Sequence, residues 1–315
     1  MVPDSRCASR RLGAPVDRRG VSWCNAGTQG VCMSRNVAFH LCSLSLVLSG
    51  VLAGCDNLPD AQSPTVQAGE KVAQESKKVT AITRMCDDGD GMACADLGLR
   101  HVQGNGVWKD DSKAIDLFEK SCEKGTGVGC TYLGLAYERG RGVSQDYAKA
   151  KELYEKGCAA QIGDACTHLA KFYQLGIATD RDEGKAASLF EKACTAGEPV
   201  GCNQLGQLYR EGKGVSSNPK KAVELFERSC AAGDGFACVS AGRAYQSGEG
   251  VPVRLDAATR LYESGCKTDS RAGCGELARL YDRGLGVQKN PEKAQEYYKR
   301  ACEKESSWCA GNAAK

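Results

Sequence analysis

The stretch CEKGTGVGC, Cys122 to Cys130, sets two cysteines eight residues apart with three glycines between them. The same spacing begins at Cys86, Cys158, Cys194, Cys230 and Cys266, each first cysteine standing 36 residues after the last. A pair one residue shorter, Cys302 and Cys309, closes the series. Within one straight helix the two sulfurs would lie about 12 Å apart, at a rise of ~1.5 Å per residue. A disulfide needs Cα atoms within roughly 7 Å, so the chain must reverse between the cysteines, and EKGTGVG supplies the reversal.

This reading pairs Cys86–Cys94, Cys122–Cys130, Cys158–Cys166, Cys194–Cys202, Cys230–Cys238, Cys266–Cys274 and Cys302–Cys309. Each bond would staple the turn between one unit and the next, for about 2.5 kcal/mol in the chain-entropy model. A metal is the rival use of such cysteines. Each pair offers two thiolates where a structural zinc site takes four ligands, and the next pair lies a helix-pair spacing of ~10 Å away. Only His101 and His168 follow the first 54 residues. No metal and no cofactor is expected.

Stacked at a period of 36, six units align without insertion, as in CTYLGLAYERGRGVSQDYAKAKELYEKGC from Cys130 and CNQLGQLYREGKGVSSNPKKAVELFERSC from Cys202. Each unit holds two apolar patterns of helical period around a glycine-rich break. The first helix would bury Leu133, Gly134 and Tyr137, matched by Leu205, Gly206 and Tyr209. The second would bury Ala150, Leu153 and Tyr154, matched by Ala222, Leu225 and Phe226. Gly104, Gly140, Gly176, Gly212, Gly248 and Gly284 stand where the first helix should end, in a left-handed cap. The fold class expected is therefore all-α, an α/α superhelical solenoid of helix-turn-helix repeats.

The motifs LGxxY, GxGV and KAxxLYEKxC resemble the Sel-one-like repeats, relatives of the tetratricopeptide repeats. The added cysteine pairs resemble the cysteine-rich Hcp-type bacterial proteins of that class. The match covers residues 68–315, with the helical stretch EKVAQESKKVTAITRM (Glu70 to Met85) and ESSWCAGNAAK (Glu305 to Lys315) as capping half-repeats. One unit departs locally: LGIATDRDE carries Ala178 where a second glycine is expected. The resemblance implies a concave groove that binds other proteins or peptides. It also implies, as the alternative, the penicillin-binding or β-lactamase activity described for some Hcp-type relatives, with a β-lactam or cell-wall fragment as ligand.

The residues offer that chemistry little. SCEK (Ser121–Lys124), SNPK (Ser217–Lys220) and SGCK (Ser264–Lys267) fit Ser-x-x-Lys, but no Lys-Thr-Gly follows. His168 falls on an outward helix position and His101 replaces a core tyrosine. No catalytic residue is assigned.

Ahead of the repeats, VAFHLCSLSLVLSGVL (Val37 to Leu52) has the size of a signal-peptide core, and it runs into LAGC, ending at Cys55. LAGC resembles the lipobox of bacterial lipoproteins, which implies cleavage before Cys55 and its lipidation. The expected organisation is a targeting segment over 1–54 with translation starting at Met33, a lipidated tether over 55–67 and the solenoid over 68–315. The first 54 residues carry six Lys/Arg and two acidic residues of the 42 and 39 in the chain, leaving 36 basic against 37 acidic. That balance excludes the basic face of a nucleic-acid binder. The expected location is the bacterial cell envelope, lipid-anchored, with the repeats in the periplasm or outside the cell.

On the first helix of each unit, positions two, five and nine after the cysteine lie opposite the core face. They read Asp96, Leu99, Gln103; Tyr132, Leu135, Arg139; His168, Lys171, Leu175; Gln204, Gln207, Glu211; Ser240, Arg243, Ser247; Glu276, Arg279, Arg283. From this stripe Tyr132, Leu135, Arg139, His168, Lys171, Gln207, Arg243 and Arg279 are the expected binding-groove residues, and Tyr132, Arg139 and Arg243 lead because Tyr and Arg dominate interface hot spots.

Overall fold

The structure is a computed structural model that describes residues 64–268 and 270–302, all of them in helices and their connections. The first helix, α1 (Pro64–Asp87), precedes six units. The units pair α2 (Gly91–Gln103) with α3 (Asp111–Glu123), α4 (Gly127–Arg139) with α5 (Tyr147–Ala159), and α6 (Gly163–Leu175) with α7 (Glu183–Thr195). They continue with α8 (Pro199–Glu211) and α9 (Pro219–Ala231), α10 (Gly235–Ser247) and α11 (Leu255–Lys267), α12 (Arg271–Arg283) and α13 (Pro291–Cys302). Helix α1 begins at Pro64, and proline is tolerated in the first turn because its missing N–H has no intrahelical partner there. No helix among the described residues is long and apolar enough to cross a membrane.

Local chemistry sets these boundaries. The carboxylates of Asp110, Asp146 and Asp182, and the amide oxygen of Asn218, accept the backbone N–H three residues on and so start α3, α5, α7 and α9. Gly104, Gly140, Gly176, Gly212, Gly248 and Gly284 close the first helices at φ between 65° and 80°, the left-handed region that costs glycine nothing. Ala178 adopts φ 53° where the other units place their second glycine, so one unit carries a strained loop.

The core is a column of rings on the second helices. Phe118, Tyr154, Phe190, Phe226 and Tyr262 are buried, beside the equally buried Ala114, Ala150, Ala186, Ala222 and Ala258. Each ring lies against the first helix of its own unit. A Cβ at Gly134 would stand 2.9 Å from Tyr154, and one at Gly242 would stand 2.5 Å from Tyr262. The glycine at this position, Gly98, Gly134, Gly206 or Gly242, is thus the floor on which its unit's ring rests. Lysines one turn into the second helices cap the unit from outside: Lys185 and Lys221 lie 4.1 Å and 4.3 Å over the rings of Tyr173 and Tyr209.

Six of the expected cysteine pairs are bonded, Cys86–Cys94 through Cys266–Cys274, with Cα atoms 4.4 to 4.6 Å apart. Each joins the end of α1 or of a second helix to the start of the next first helix, so these twelve cysteines offer a metal no free thiolate. Cys309, and with it the seventh pair, lies outside the described residues, as do Cys55, Met33 and the stretch from Glu305.

Neighbouring helices pack in chain order, as a solenoid requires. First helices of successive units also meet directly, α2 with α4, α6 with α8 and α10 with α12, more extensively than second helices do. The first helices therefore form the inner, concave side.

Candidate functional site

The inner side carries the expected stripe, and stacking of the units brings parts of it together. Arg243 on α10 reaches Glu276 on α12 at 2.8 Å, which fixes position five of one unit beside position two of the next. Leu99 and Tyr132 follow the same rule and pack against one hydrophobic cluster. Tyr132, Leu135, His168, Lys171 and Gln207 are half-buried, whereas Arg139, Arg243 and Arg279 are exposed. Leu175 is 67% exposed, an apolar side chain facing solvent at position nine.

Two clusters stand out along this face. The first joins α4, α5 and α6. Tyr154 projects from α5 between the two first helices and donates its hydroxyl to Glu138. His168 stacks on the same ring with centroids 4.9 Å apart. Its Nδ1 lies 3.1 Å from Glu138 Oε2 and its Nε2 lies 3.6 Å from Asp164 Oδ1. The hydrogen bond with His168, helped by the one from Tyr154, holds the Glu138 carboxyl below the usual carboxylate range despite partial burial. Burial, and then the bond to Glu138, push the Tyr154 hydroxyl far above its ordinary value. Burial also raises Tyr132, with the Asp164 charge adding to it. One unit earlier, Tyr132 stacks on Phe118 at 5.4 Å, so the ring-on-ring contact repeats along the face.

The second cluster joins α10, α11 and α12. Tyr262 donates its hydroxyl to Gln246 Oε1 at 2.7 Å. Glu276 takes the place of His168 in the repeat and binds Arg243 and Arg279, the latter at 3.0 Å. Burial raises the Tyr262 hydroxyl, and the nearby Glu276 charge adds to the rise.

Several expectations need correction. His168, expected on an outward position, is half-buried with Nδ1 against Glu138 and Nε2 facing Asp164 at the longer distance of 3.6 Å. His101 does occupy a core position, and its Nδ1 lies 3.0 Å from the backbone oxygen of Trp108. Glu138 and Asp164 were absent from the expected set, as was Tyr154 outside its core role. Leu135 and Lys171 stand on α4 and α6 beside the first cluster, and Gln207 stands on α8 between the two; none of the three belongs to either. The serines of the three Ser-x-x-Lys matches are engaged with backbone carbonyls. Ser121 is buried and donates to Gly91 O at 2.6 Å, Ser217 to Arg210 O at 3.4 Å and Ser264 to Arg260 O at 3.1 Å.

The comparisons with known proteins agree with this architecture. The Sel1 repeat model matches residues 91–126, 127–161, 163–198, 199–234, 235–267 and 272–306. A Sel1 repeat protein from Oxalobacter formigenes superposes with a TM-score of 0.66 at 26% identity, covering 76% of this chain and 97% of that one. A protective antigen present in uropathogenic Escherichia coli strains, displaying an SLR fold, superposes with a TM-score of 0.63 at 28% identity over 76% of this chain. The match spans only about half, 51%, of that antigen's length. Helicobacter pylori cysteine rich protein B is 36% identical over 41% of this chain and 93% of its own, with a TM-score of 0.35. No curated protein sequence matches significantly.

Proposed function

The chain belongs to the Sel1 repeat family, and from that premise we propose that it is a binding scaffold, holding protein or peptide partners in the concave groove of its solenoid. The observation that carries this reading is the inner face itself. Its side chains vary from unit to unit while the ring column and disulfides beneath them repeat. A rigid, preformed surface of this kind loses little conformational entropy when it binds. Six bonded cysteine pairs fit an oxidising compartment. In this reading residues 1–54 are a targeting segment, Cys55 carries a lipid and residues 55–67 tether the repeats to the bacterial envelope.

The test is capture from cross-linked envelopes, with the wild type set against the Tyr132→Ala, Arg139→Ala double variant. A partner held by the wild type and lost from a variant of unchanged melting temperature supports the groove reading. Equal capture by both overturns it.

A further inference from the structure

The two halves of the inner face differ in what they offer a ligand, and the half at α10 and α12 is built around one carboxylate. The Glu276 side chain is 12% exposed, whereas those of Arg243 and Arg279 are 59% and 45% exposed. Arg243 Nε and Nη2 both reach Oε1, at 3.3 and 2.8 Å, while Arg279 Nη1 takes Oε2. A guanidinium has five N–H donors in a fixed fork. Arg243 commits two to Glu276 and Arg279 commits one, so most of their donors face solvent, held in place from below. Arg283 stands one turn further along α12, and Tyr298 lies within the fields of Arg279 and Arg283.

One carboxylate serving two guanidiniums leaves positive charge on the surface. Apart from Glu211, which Lys213 and Arg210 hold, the inner positions leading to it are polar and uncharged: Gln204, Gln207, Ser240 and Ser247. Such side chains suit the backbone amides of an extended peptide, while forked donors suit carboxylates. A nucleic acid would need a broad basic field, and residues 55–315 balance 36 basic against 37 acidic side chains.

We propose that Arg243, Arg279 and Arg283, positioned by Glu276, form a docking point for the carboxylate side chains of an acidic peptide segment. This rests on the scaffold reading and specifies the chemistry of its partner.

Fluorescence anisotropy on the oxidised full chain tests it, with a labelled peptide of alternating Glu and Gly and its Gln–Gly counterpart. The Glu peptide binds, more weakly as salt rises, and the Gln peptide does not. Arg243→Gln with Arg279→Gln weakens binding roughly ten-fold. Arg283→Gln, which leaves the Glu276 bridges intact, weakens it about two-fold. Lys192→Gln, on the exposed side of α7, changes nothing. Equal binding of the Gln peptide, unchanged binding by both arginine variants, or binding of inorganic phosphate or phosphatidylglycerol vesicles in place of the peptide would each overturn the proposal. If envelope capture depends on Tyr132 and Arg139 while this assay fails, the docking point falls and the scaffold reading stands.

Discussion

The junction at Tyr154 and the junction at Tyr262 share a backbone plan and a buried tyrosine, yet they present different chemistry. At the first, the ring hydroxyl meets the Glu138 carboxylate and His168 stacks above it. At the second, the hydroxyl meets the Gln246 amide, and Glu276 stands where His168 would be, holding two arginines. The second helix supplies a constant anchor, and the first helices supply the variation. A solenoid can change its ligand preference from unit to unit in this way without disturbing its core.

Removing each hydroxyl breaks the comparison most sharply. Phe118, Phe190 and Phe226 show that the column accepts phenylalanine, so neither Tyr→Phe change should leave a misfit. Tyr154→Phe takes a donor from a partly buried carboxylate and should cost about 1–2 kcal/mol, whereas Tyr262→Phe takes one from an amide and should cost about 0.5–1 kcal/mol. Denaturant midpoints of the two variants check this, and equal losses would erase the proposed difference between the junctions.

A smaller effect separates them by pH. The Glu138 pKa is lowered on folding, so its contribution to stability is present above the unfolded value and is lost as pH falls through the folded one. The stability difference between wild type and Glu138→Gln should therefore shrink below pH ~4, the range in which carboxylates titrate. Gln246→Ala at the other junction should show a difference that does not change across that window. Parallel curves for Glu138→Gln and Gln246→Ala would contradict the assignment.

Much of this fold was legible because each unit repeats its own instructions. The 36-residue period, the glycine caps and the cysteine spacing are local signals, and the solenoid and its staples follow from them. The clusters were harder to read. Glu138 and His168 are 30 residues apart and meet only because first helices stack on the inner side, whereas the stripe at positions two, five and nine treats each helix alone. A signal was nevertheless present in the columns. Where the buried ring is a tyrosine, the residue sixteen before it accepts its hydrogen bond: Glu138 for Tyr154 and Gln246 for Tyr262. Where the ring is Phe118 or Phe226 that residue is Val102 or Arg210, and Arg210 sits 5.9 Å over the Phe226 ring instead, whereas Phe190 keeps an amide there, Gln174. The column is a partial signal: an acceptor stands before both buried tyrosines, but one also stands before a phenylalanine.

The central claim is that partners lie along the inner face. Photo-cross-linking residues placed one at a time at Leu135, Gln207 and Lys192 in the full chain test it most directly. The account predicts adducts to one shared partner from positions 135 and 207, on the inner face, and none from Lys192 on the exposed side of α7. Adducts from Lys192 alone, or equal adducts from all three positions, would contradict it.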